Sequence, residues 1–349
     1  MLTLTAASKE TKLILKWAGI VVAAIFVLIL AYRALVLLKE TFFPTPPPKP
    51  TIAFGKLPAI SFPTSAVNEN YKYSLDTISG KVPLFKDQIK IYEIEKPKAD
   101  LLALKKIGQD VKNVGFENGP FKVSDDSYFW TNSSGQFLKT IRVNIKSRDF
   151  TLFSPFYFQS DVLSGKNLPK QADAVSKARD FLYDMNYPTG DLDTSKTRTI
   201  LLSVKDGQLL AATSQGSTRA YRINFYQKDI NNLPIFYGKP IESNINLIVT
   251  GGTDGPQIVR ANYSMQRVSG ESSTYPIKTS GAAFEELKEG KAYIASYYGA
   301  GNSIKIKDIF LAYYMGEKEQ DYLYPIVVFE GNDGFLAYLP AVTDEWISK

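Results

Sequence analysis

The chain of 349 residues contains no cysteine and no histidine. Without cysteine there are no disulfides, no thiolate nucleophile and no cysteine-ligated metal. Without histidine there is no Ser-His-Asp relay, no HExxH zinc site and no imidazole base near neutral pH. Most familiar hydrolase designs are therefore excluded. We expect a protein that is not an enzyme, without catalytic residues, cofactors or metal ligands.

The excess of basic over acidic residues is also small. Lys and Arg number 41 against 35 Asp and Glu, a formal net charge of +6, and the basic residues are scattered along the chain. A nucleic-acid groove would need them clustered on one face, so no nucleic-acid partner is predicted. The glycine-rich stretch GGTDG lacks a following Lys-Ser/Thr and is predicted to be a hairpin turn rather than a phosphate loop.

The acidic residues do not form a converging pair. Asp125-Asp126, Glu285-Glu286 and Asp344-Glu345 are direct neighbours in the chain. Neighbours on a strand point to opposite faces, and neighbours on a helix diverge by about 100 degrees. Glycosidase chemistry needs two carboxylates that face each other. A carboxylate-dependent cell-wall hydrolase therefore stays an alternative, and it predicts a cleft with two converging carboxylates.

One long hydrophobic run is present near the N-terminus, LILKWAGIVVAAIFVLILAYRALVLLKE. Residues 17–38 carry Arg33 as their single charge. As a helix this segment would extend about 33 Å, enough for the hydrocarbon core of a bilayer. Trp17 and Tyr32 suit the two membrane interfaces, and Arg33 can extend its side chain to the headgroups. A transmembrane helix with the lipid bilayer as its partner is predicted.

A cleaved signal peptide is the alternative interpretation of this run. Its apolar region would be shorter, about 7–15 residues, and a small-residue cleavage site would follow. Here ETFFPTPPP follows, which favours an anchor. Lys9, Lys12 and Lys16 precede the span, while Arg33 and Lys39 follow it, so the charge bias is slight. We expect residues 1–16 in the cytoplasm and the C-terminal part outside the cell membrane.

Proline is concentrated just after the span, in residues 39–63. Pro44, Pro46, Pro47, Pro48 and Pro50 favour extended polyproline-II geometry. The segment is predicted to be a stiff stalk that holds the rest of the chain off the membrane. A more specific but less favoured interpretation is that an SH3-type domain recognises its PxxP pattern.

Beyond the stalk, helical periodicity alternates with runs of strands. Helices are predicted over 98–114, 170–185 and 280–289, the last capped by Ser280. Between and after them lie the predicted strands, at 127–131, 136–145, 149–158, 197–204, 217–227, 233–249, 257–268 and 304–314. Strands segregated from helices indicate an α+β class, with antiparallel sheets each covered by a short helix. Three domains are predicted, 64–160, 161–270 and 271–349.

The C-terminal stretch DYLYPIVVFEGNDGFLAYLPAV is predicted to form a hairpin with its turn at Gly331-Asn332-Asp333-Gly334. Pro325 cannot donate a ladder hydrogen bond, which favours an edge strand. Tyr322, Tyr324, Pro325 and Tyr338 are therefore a candidate partner-binding edge, open to strand addition. A stacking platform for sugars or peptides is a second interpretation of the tyrosines here, and core packing is a third.

The last third of the chain carries a resemblance to a known family. The quoted features are YQKDINNLPIF, the helix AAFEEL, the strand LAYY and the hairpin YPIVVFEG. They resemble the YycI/YycH-type regulators and the broader PepSY-like extracytoplasmic domains. The resemblance covers roughly residues 221–342, and the single N-terminal anchor is similar to the family's layout. It implies a bacterial, non-enzymatic protein that regulates a membrane-bound histidine kinase through contacts along the anchor and outer domain.

The function expected from the sequence is a membrane-anchored, extracytoplasmic regulatory or scaffolding module. It would act through protein–protein contacts in the cell envelope. The carboxylate-dependent hydrolase and a purely structural surface protein are the alternatives.

Overall fold

The structure is a computed structural model that describes residues 4–42, 48–64, 71–135, 137–253 and 255–348. The chain forms two compact units, Met1–Lys49 and Pro50–Lys349. Pro44, Pro46 and Pro47 of the predicted stalk, and Gln136 of a predicted strand, lie outside the described residues.

The first unit contains one long helix, α1 (Leu4–Phe42). Its segment Lys16–Val36 has 21 residues and a mean hydropathy of 2.5, and none of it is buried. A helix of that length and composition can cross a membrane. The structure thus confirms an N-terminal helix that is compatible with a single-pass anchor.

The second unit is built mainly from strands. In chain order they are β1 (Lys72–Leu75), β2 (Gln88–Ile94), β3 (Asn118–Lys122), β4 (Ser127–Asn132), β5 (Lys139–Asn144), β6 (Phe150–Phe153), β7 (Leu192–Lys205), β8 (Gln208–Ala211), β9 (Ala220–Gln227), β10 (Ile235–Tyr237), β11 (Ile245–Thr250), β12 (Gln257–Tyr263), β13 (Val268–Pro276), β14 (Tyr293–Ser296), β15 (Ser303–Met315), β16 (Tyr322–Gly331) and β17 (Leu336–Pro340). The helices of this unit are α2 (Ala103–Asn113), α3 (Ser160–Leu163), α4 (Gln171–Asp184) and α5 (Ser280–Lys288).

Nine strands form one sheet in the order β3-β4-β5-β6-β12-β11-β9-β7-β8. Each pair of neighbours in it is antiparallel. Helices α2 and α4 lie on one face, where their apolar stripes join the largest core around Trp130, Phe150 and Tyr221. On part of the opposite face, Phe156 and Val162 pack over Leu202, Ala220 and Ile248.

The other sheet has eight strands and the main order β1-β15-β16-β17-β14. In addition, β10 pairs with β15, and β2 bridges β13 and β16. Two pairings are parallel, β1 with β15 and β10 with β15. Helix α5 covers one face through Ala283, Phe284 and Leu287.

The predicted class is confirmed at the coarse level: α+β, mostly antiparallel, with few helices. Strands of the nine-stranded sheet come from both 64–160 and 161–270, so these two predicted domains share one sheet. Two helices cover that sheet instead of one. The three-domain division itself stays a prediction.

Several predicted elements have different bounds. Helix α2 begins at Ala103 rather than at residue 98, because the Asp100 carboxylate accepts the Leu102 N–H at 2.9 Å and holds a turn there. Leu101, which falls within the predicted helix, therefore lies outside α2 and is fully exposed. The cap of α5 is Thr279, whose side chain accepts from the Ala282 N–H, and not Ser280.

The predicted strand 233–249 is two strands in different sheets. β10 belongs to the eight-stranded sheet and β11 to the nine-stranded sheet. The chain turns between them at Pro240, which lacks the N–H that a continuous strand would need. This crossing links the two sheets. The predicted strand 257–268 likewise ends at Tyr263, and β13 then begins at Val268.

Candidate functional site

The partner-binding edge predicted at the C-terminal hairpin does not exist in the structure. β16 lies inside the eight-stranded sheet, between β15 on one side and β17 and β2 on the other. Pro325 pairs with Tyr313, and its carbonyl accepts the Ala341 N–H at 3.1 Å. Tyr324, Pro325 and Tyr338 are buried, and Tyr322 is half-buried. The hairpin itself is confirmed, with Asp333 and Gly334 at positive φ in its turn.

The aromatic residues of this region contact another part of the same chain. Residues 50–62, here called the tether segment, lie along the eight-stranded sheet. Phe62 stacks on Tyr293 with ring centroids 5.1 Å apart, and it meets Tyr314 edge-on at 4.8 Å. Phe54 lies 4.9 Å from the ring of Tyr322. The tyrosines that suggested a surface for an external partner therefore largely contact the tether segment.

Backbone hydrogen bonds also hold the tether segment. Leu57 is fully buried, donates its N–H to the Trp346 carbonyl and accepts from the Ser348 N–H, both at 2.8 Å. The Ile52 N–H donates to the Thr274 carbonyl at 3.1 Å. The C-terminal half of the predicted stalk is thus part of the second unit and packs on its eight-stranded sheet instead of extending freely.

The membrane-interface candidates lie on the exposed surface of α1. Trp17 is 61% exposed and Tyr32 is 69% exposed, and Arg33 is exposed as well. Their separation along the helix, about 22 Å between positions 17 and 32, suits side chains near two ends of an apolar span.

A cleft of about 460 Å³ lies beside the β5–β6 turn of the second unit. Its walls come from the ends of β2 and β12, the loop after α4 and the loop between β15 and β16. The cleft therefore lies where the two sheets meet, a usual place for a binding site.

The β5–β6 turn presents Arg148 and Asp149 to this cleft. Asn144 shapes the turn, because its side-chain oxygen accepts the N–H groups of Lys146 and Ser147. Arg148 has φ of 64°, a left-handed conformation that is uncommon for a residue with a side chain. Such backbone strain is concentrated at functional sites.

Arg148 is also the best-connected side chain of the turn. Its guanidinium donates to the Asp110 carboxylate at 3.1 Å and to the Asn186 carbonyl at 3.3 Å. The same group lies 4.9 Å from the centroid of the Tyr187 ring. The Tyr187 hydroxyl in turn donates to the Arg148 carbonyl at 2.5 Å. These contacts lock the turn against α2 and the loop after α4.

Two aromatic rings, Tyr187 and Tyr263, line the cleft, and the buried ring of Phe150 packs against both of them. Phe150 and Tyr263 stack with an interplanar angle of 4°, and Tyr187 meets Tyr263 edge-on at 4.4 Å. Burial raises the pKa of both tyrosines well above the ordinary range, so both stay protonated. The Tyr263 hydroxyl donates to the thioether of Met265 at 3.2 Å, a weak acceptor.

Asp149 is the carboxylate with the most unusual environment in the cleft. Burial raises its pKa, and the charge of Glu319 raises it further. The hydroxyls of Ser147 and Ser264 and the N–H of Met265 donate to it and lower the pKa in part. Glu319 is brought close because Gln266 donates to the carbonyls of Gly316 and Lys318, at 3.2 and 3.0 Å.

Charges of both signs line the rim of the cleft without ion-pair partners. Among the described residues, no ion pair forms at Glu95, Lys98, Asp126, Lys146 or Glu319. By contrast, Arg267 pairs with Asp191 at 3.1 Å, and Lys96 pairs with Asp321 at the same distance. The cleft thus combines an aromatic floor with a rim of unpaired charges of both signs.

In the part of the chain that the structure describes, no group of three or more Asp or Glu side chains is placed to hold a metal ion. The chemistry open to the cleft is recognition of charged and apolar groups, or proton transfer through Asp149.

Apart from Asp126, which was named only as half of an adjacent acidic pair, none of the cleft residues was singled out from the sequence. Its groups come from segments far apart in the chain, such as 94–98, 144–149 and 263–267, which no local spacing connects. One local signal was available. The turn NIKSRD places an Asn where it can cap the turn and polar residues where a hairpin exposes them.

Comparisons with known proteins give little further. No protein-family model matches the chain, and no curated protein matches it. The crystal structure of an uncharacterized protein from Eubacterium rectale ATCC 33656 aligns with 80% of this chain and 90% of its own. The sequence identity is 11% and the TM-score is 0.34, a level of similarity that supports no inference about this chain.

Proposed function

We propose that this protein is a single-pass, membrane-anchored module that regulates or scaffolds another protein of the cell envelope. The observation that carries the proposal is the apolar segment Lys16–Val36, 21 residues of which none is buried. Exposed apolar surface of that size needs a lipid environment. A single such helix anchors the second unit to a membrane and brings it near membrane-bound partners.

The proposed contact site for the partner is the cleft beside the β5–β6 turn. The rings of Tyr187 and Tyr263 that line it suit an apolar or aromatic anchor residue, the usual centre of a protein interface. The unpaired rim charges, among them Lys98 and Lys146, suit a partner of complementary charge pattern. Partner charges would fix the orientation of binding and select against wrong partners.

The resemblance to YycI/YycH-type regulators supports a membrane-bound histidine kinase as the partner. It also supports an orientation with residues 1–16 in the cytoplasm and the second unit outside. In that arrangement the helix and the second unit would both contact the kinase. Regulation would then require that this protein binds two states of the kinase with different affinities.

Co-purification from membranes tests this function. The full-length chain and the charge-reversed variant Lys98→Glu/Lys146→Glu are each captured through a tag from source membranes. The matched control is Lys177→Glu/Arg179→Glu, which reverses two exposed charges on α4. We expect one membrane protein to co-purify with the wild type and the control, and the cleft variant to lose most of it. Equal retention by both variants, or no co-purifying protein, contradicts the proposal.

One observation favours a second candidate, the carboxylate-dependent wall hydrolase. Asp149 has a raised pKa and lies beside Glu319 in a cleft, the kind of carboxylate pair that the sequence did not reveal. The wild-type chain would release soluble fragments from purified cell walls, and Asp149→Asn would reduce the rate at least about a hundredfold. A wild-type chain without such release removes this candidate.

A further inference from the structure

A second surface of the molecule has the composition of a binding platform. On the nine-stranded sheet, Phe137, Phe156 and Val162 cover the part of the face around β7, β9, β11 and Val259 of β12, opposite α2 and α4. Over β3 to β6 this same face is open to solvent. Phe121 and Phe153 are 42% and 48% exposed there, which is unusual for large apolar side chains on a sheet.

Strand register places the residues of this open face side by side. Phe121 is opposite Phe129, Phe129 is opposite Arg142, and Arg142 is opposite Thr151. The neighbours Ile141 and Val143 point to the helix side and are fully buried, so Arg142 points the other way and is exposed. Phe121, Phe129, Arg142, Phe153 and Arg260 together are called the arginine–phenylalanine face.

The rings and guanidiniums of this face are already arranged for stacking. Phe121 and Phe129 stack with their centroids 5.0 Å apart. The Arg260 guanidinium lies 5.4 Å from the centroid of the Phe153 ring. With strands about 4.8 Å apart, the face from β3 to β12 is about 19 Å wide. That width accommodates several rings of a linear polymer.

The charged side chains on the strands of this face are all basic. Strands β3, β4, β5, β6 and β12 contain no Asp or Glu at all. Neither Arg142 nor Arg260 forms an ion pair with a carboxylate in the described residues. Two guanidiniums without carboxylate partners, on strands that carry no acidic residue, complement an anionic ligand.

We propose that the arginine–phenylalanine face binds an anionic polysaccharide. The apolar C–H face of a sugar ring packs on the negative face of an aromatic ring, while guanidiniums pair with carboxylate or sulfate groups of the polymer. Thr140 and Thr151 lie between these groups and offer hydroxyls that suit a ligand rich in hydroxyl groups. Two arginines on a flat face do not form the continuous basic groove that tracks a nucleic-acid strand. The proposal does not depend on the partner or the cleft proposed above.

The test uses the full-length chain in nanodiscs and measures binding to polygalacturonate, neutral dextran and an oligo-dT strand. Wild-type protein is expected to bind polygalacturonate, to lose affinity as salt is raised and to bind dextran weakly. Arg142→Gln/Arg260→Gln is expected to lose about tenfold or more in affinity, because charge-assisted hydrogen bonds are removed. Phe153→Ala is expected to lose about tenfold by loss of stacking.

The matched controls change an exposed arginine and an exposed aromatic elsewhere. Arg179→Gln lies on α4, and Tyr298→Ala is 64% exposed beside the hairpin turn. Both should bind like the wild type. Unchanged thermal melting of each variant shows that it is folded. Absence of polygalacturonate binding, equal affinity for dextran, preference for oligo-dT, or equal losses in the control variants would each overturn the proposal.

Discussion

At the scale of single residues, Asp149 links the fold to the proposed site. Asp149 directly follows Arg148, whose backbone is left-handed, in the β5–β6 turn. The cleft partly buries the Asp149 carboxylate. Burial opposes ionisation, and the negative charge of Glu319 adds to that effect. Hydrogen bonds from two hydroxyls and one N–H compensate only in part, since the pKa remains raised.

A pH dependence of stability follows from this raised pKa. The folded state binds the Asp149 proton more tightly than the unfolded chain does. The stabilisation is fully present below the unfolded pKa and is lost as the pH rises through the folded value. We therefore expect Asp149→Asn to gain stability relative to the wild type between acidic and neutral pH, as measured by urea unfolding. Asp180→Asn removes an exposed carboxylate on α4 and is the control, expected to change stability by less than about 0.5 kcal/mol. A constant difference between Asp149→Asn and the wild type contradicts this assignment.

At the scale of elements, local patterns predicted the helices better than the strands. Helix α4 lies within one residue of the predicted bounds 170–185 at each end, and its buried positions Ala174, Ala178 and Phe181 follow the helical period. The C-terminal hairpin was also predictable, because its turn residues tolerate positive φ. The central position of β16 was not. Pro325 is accommodated inside the sheet, and no local signal shows which strands will flank it.

The tether segment was misread for a related reason. Its prolines indicate an extended chain, and an extended chain serves equally as a free spacer or as a strip packed on a sheet. Whether the segment packs on the sheet depends on a groove formed by Tyr293, Tyr314 and Tyr338, which lie more than 200 positions later in the chain. Long-range packing of this kind overrides local propensity.

The tether segment is expected to contribute measurable stability. Phe62→Ala removes the stack on Tyr293 and the edge contact with Tyr314. We predict a loss of about 2 kcal/mol in the free energy of unfolding, below the cost of a fully buried phenylalanine because Phe62 is half-buried. Phe158→Ala, at 69% exposure, is the control and should change stability by less than about 0.5 kcal/mol. Equal effects of the two changes in chemical denaturation would show that the tether segment is not docked.

The β11–β12 turn depends on a glycine at its first position. A Cβ on Gly251 would lie 2.3 Å from the Lys166 carbonyl oxygen, a contact that requires the backbone to move. Gly251→Ala is predicted to lower the free energy of unfolding by about 1–3 kcal/mol. Gly281→Ala on α5 is the matched control, because a Cβ there meets nothing within 4 Å and alanine favours a helix. A thermal melt that ranks the two variants in the opposite order rejects this explanation.

At the scale of the whole molecule, an exposed apolar helix and a folded unit of two sheets define the protein's organisation. The sequence predicted the helix directly, because hydropathy over 21 residues is a local property. It did not predict the cleft, whose residues meet only after two sheets have assembled from distant segments. Composition limited the possible chemistry, because a chain without His and Cys has no imidazole base, no thiolate nucleophile and no cysteine-ligated metal.

The anchor makes a prediction at this scale. Val27→Arg/Leu28→Arg places two charges in the middle of the apolar segment, each costing about 2.5–3.5 kcal/mol on insertion. The variant is expected to shift from the membrane pellet to the carbonate-extractable fraction. Val27→Leu/Leu28→Val keeps the hydropathy and should remain in the pellet. Retention of the double-arginine variant in the pellet contradicts single-helix anchoring.

The central claim is that the membrane-anchored second unit binds an envelope protein through the cleft. Site-specific photo-crosslinking in intact source membranes tests it most directly, with the photoreactive residue placed at Lys146 on the cleft rim or at Lys177 on α4. We predict one discrete adduct with a membrane protein from position 146 and none from position 177. No adduct at 146, or the same adduct from both positions, would contradict the claim.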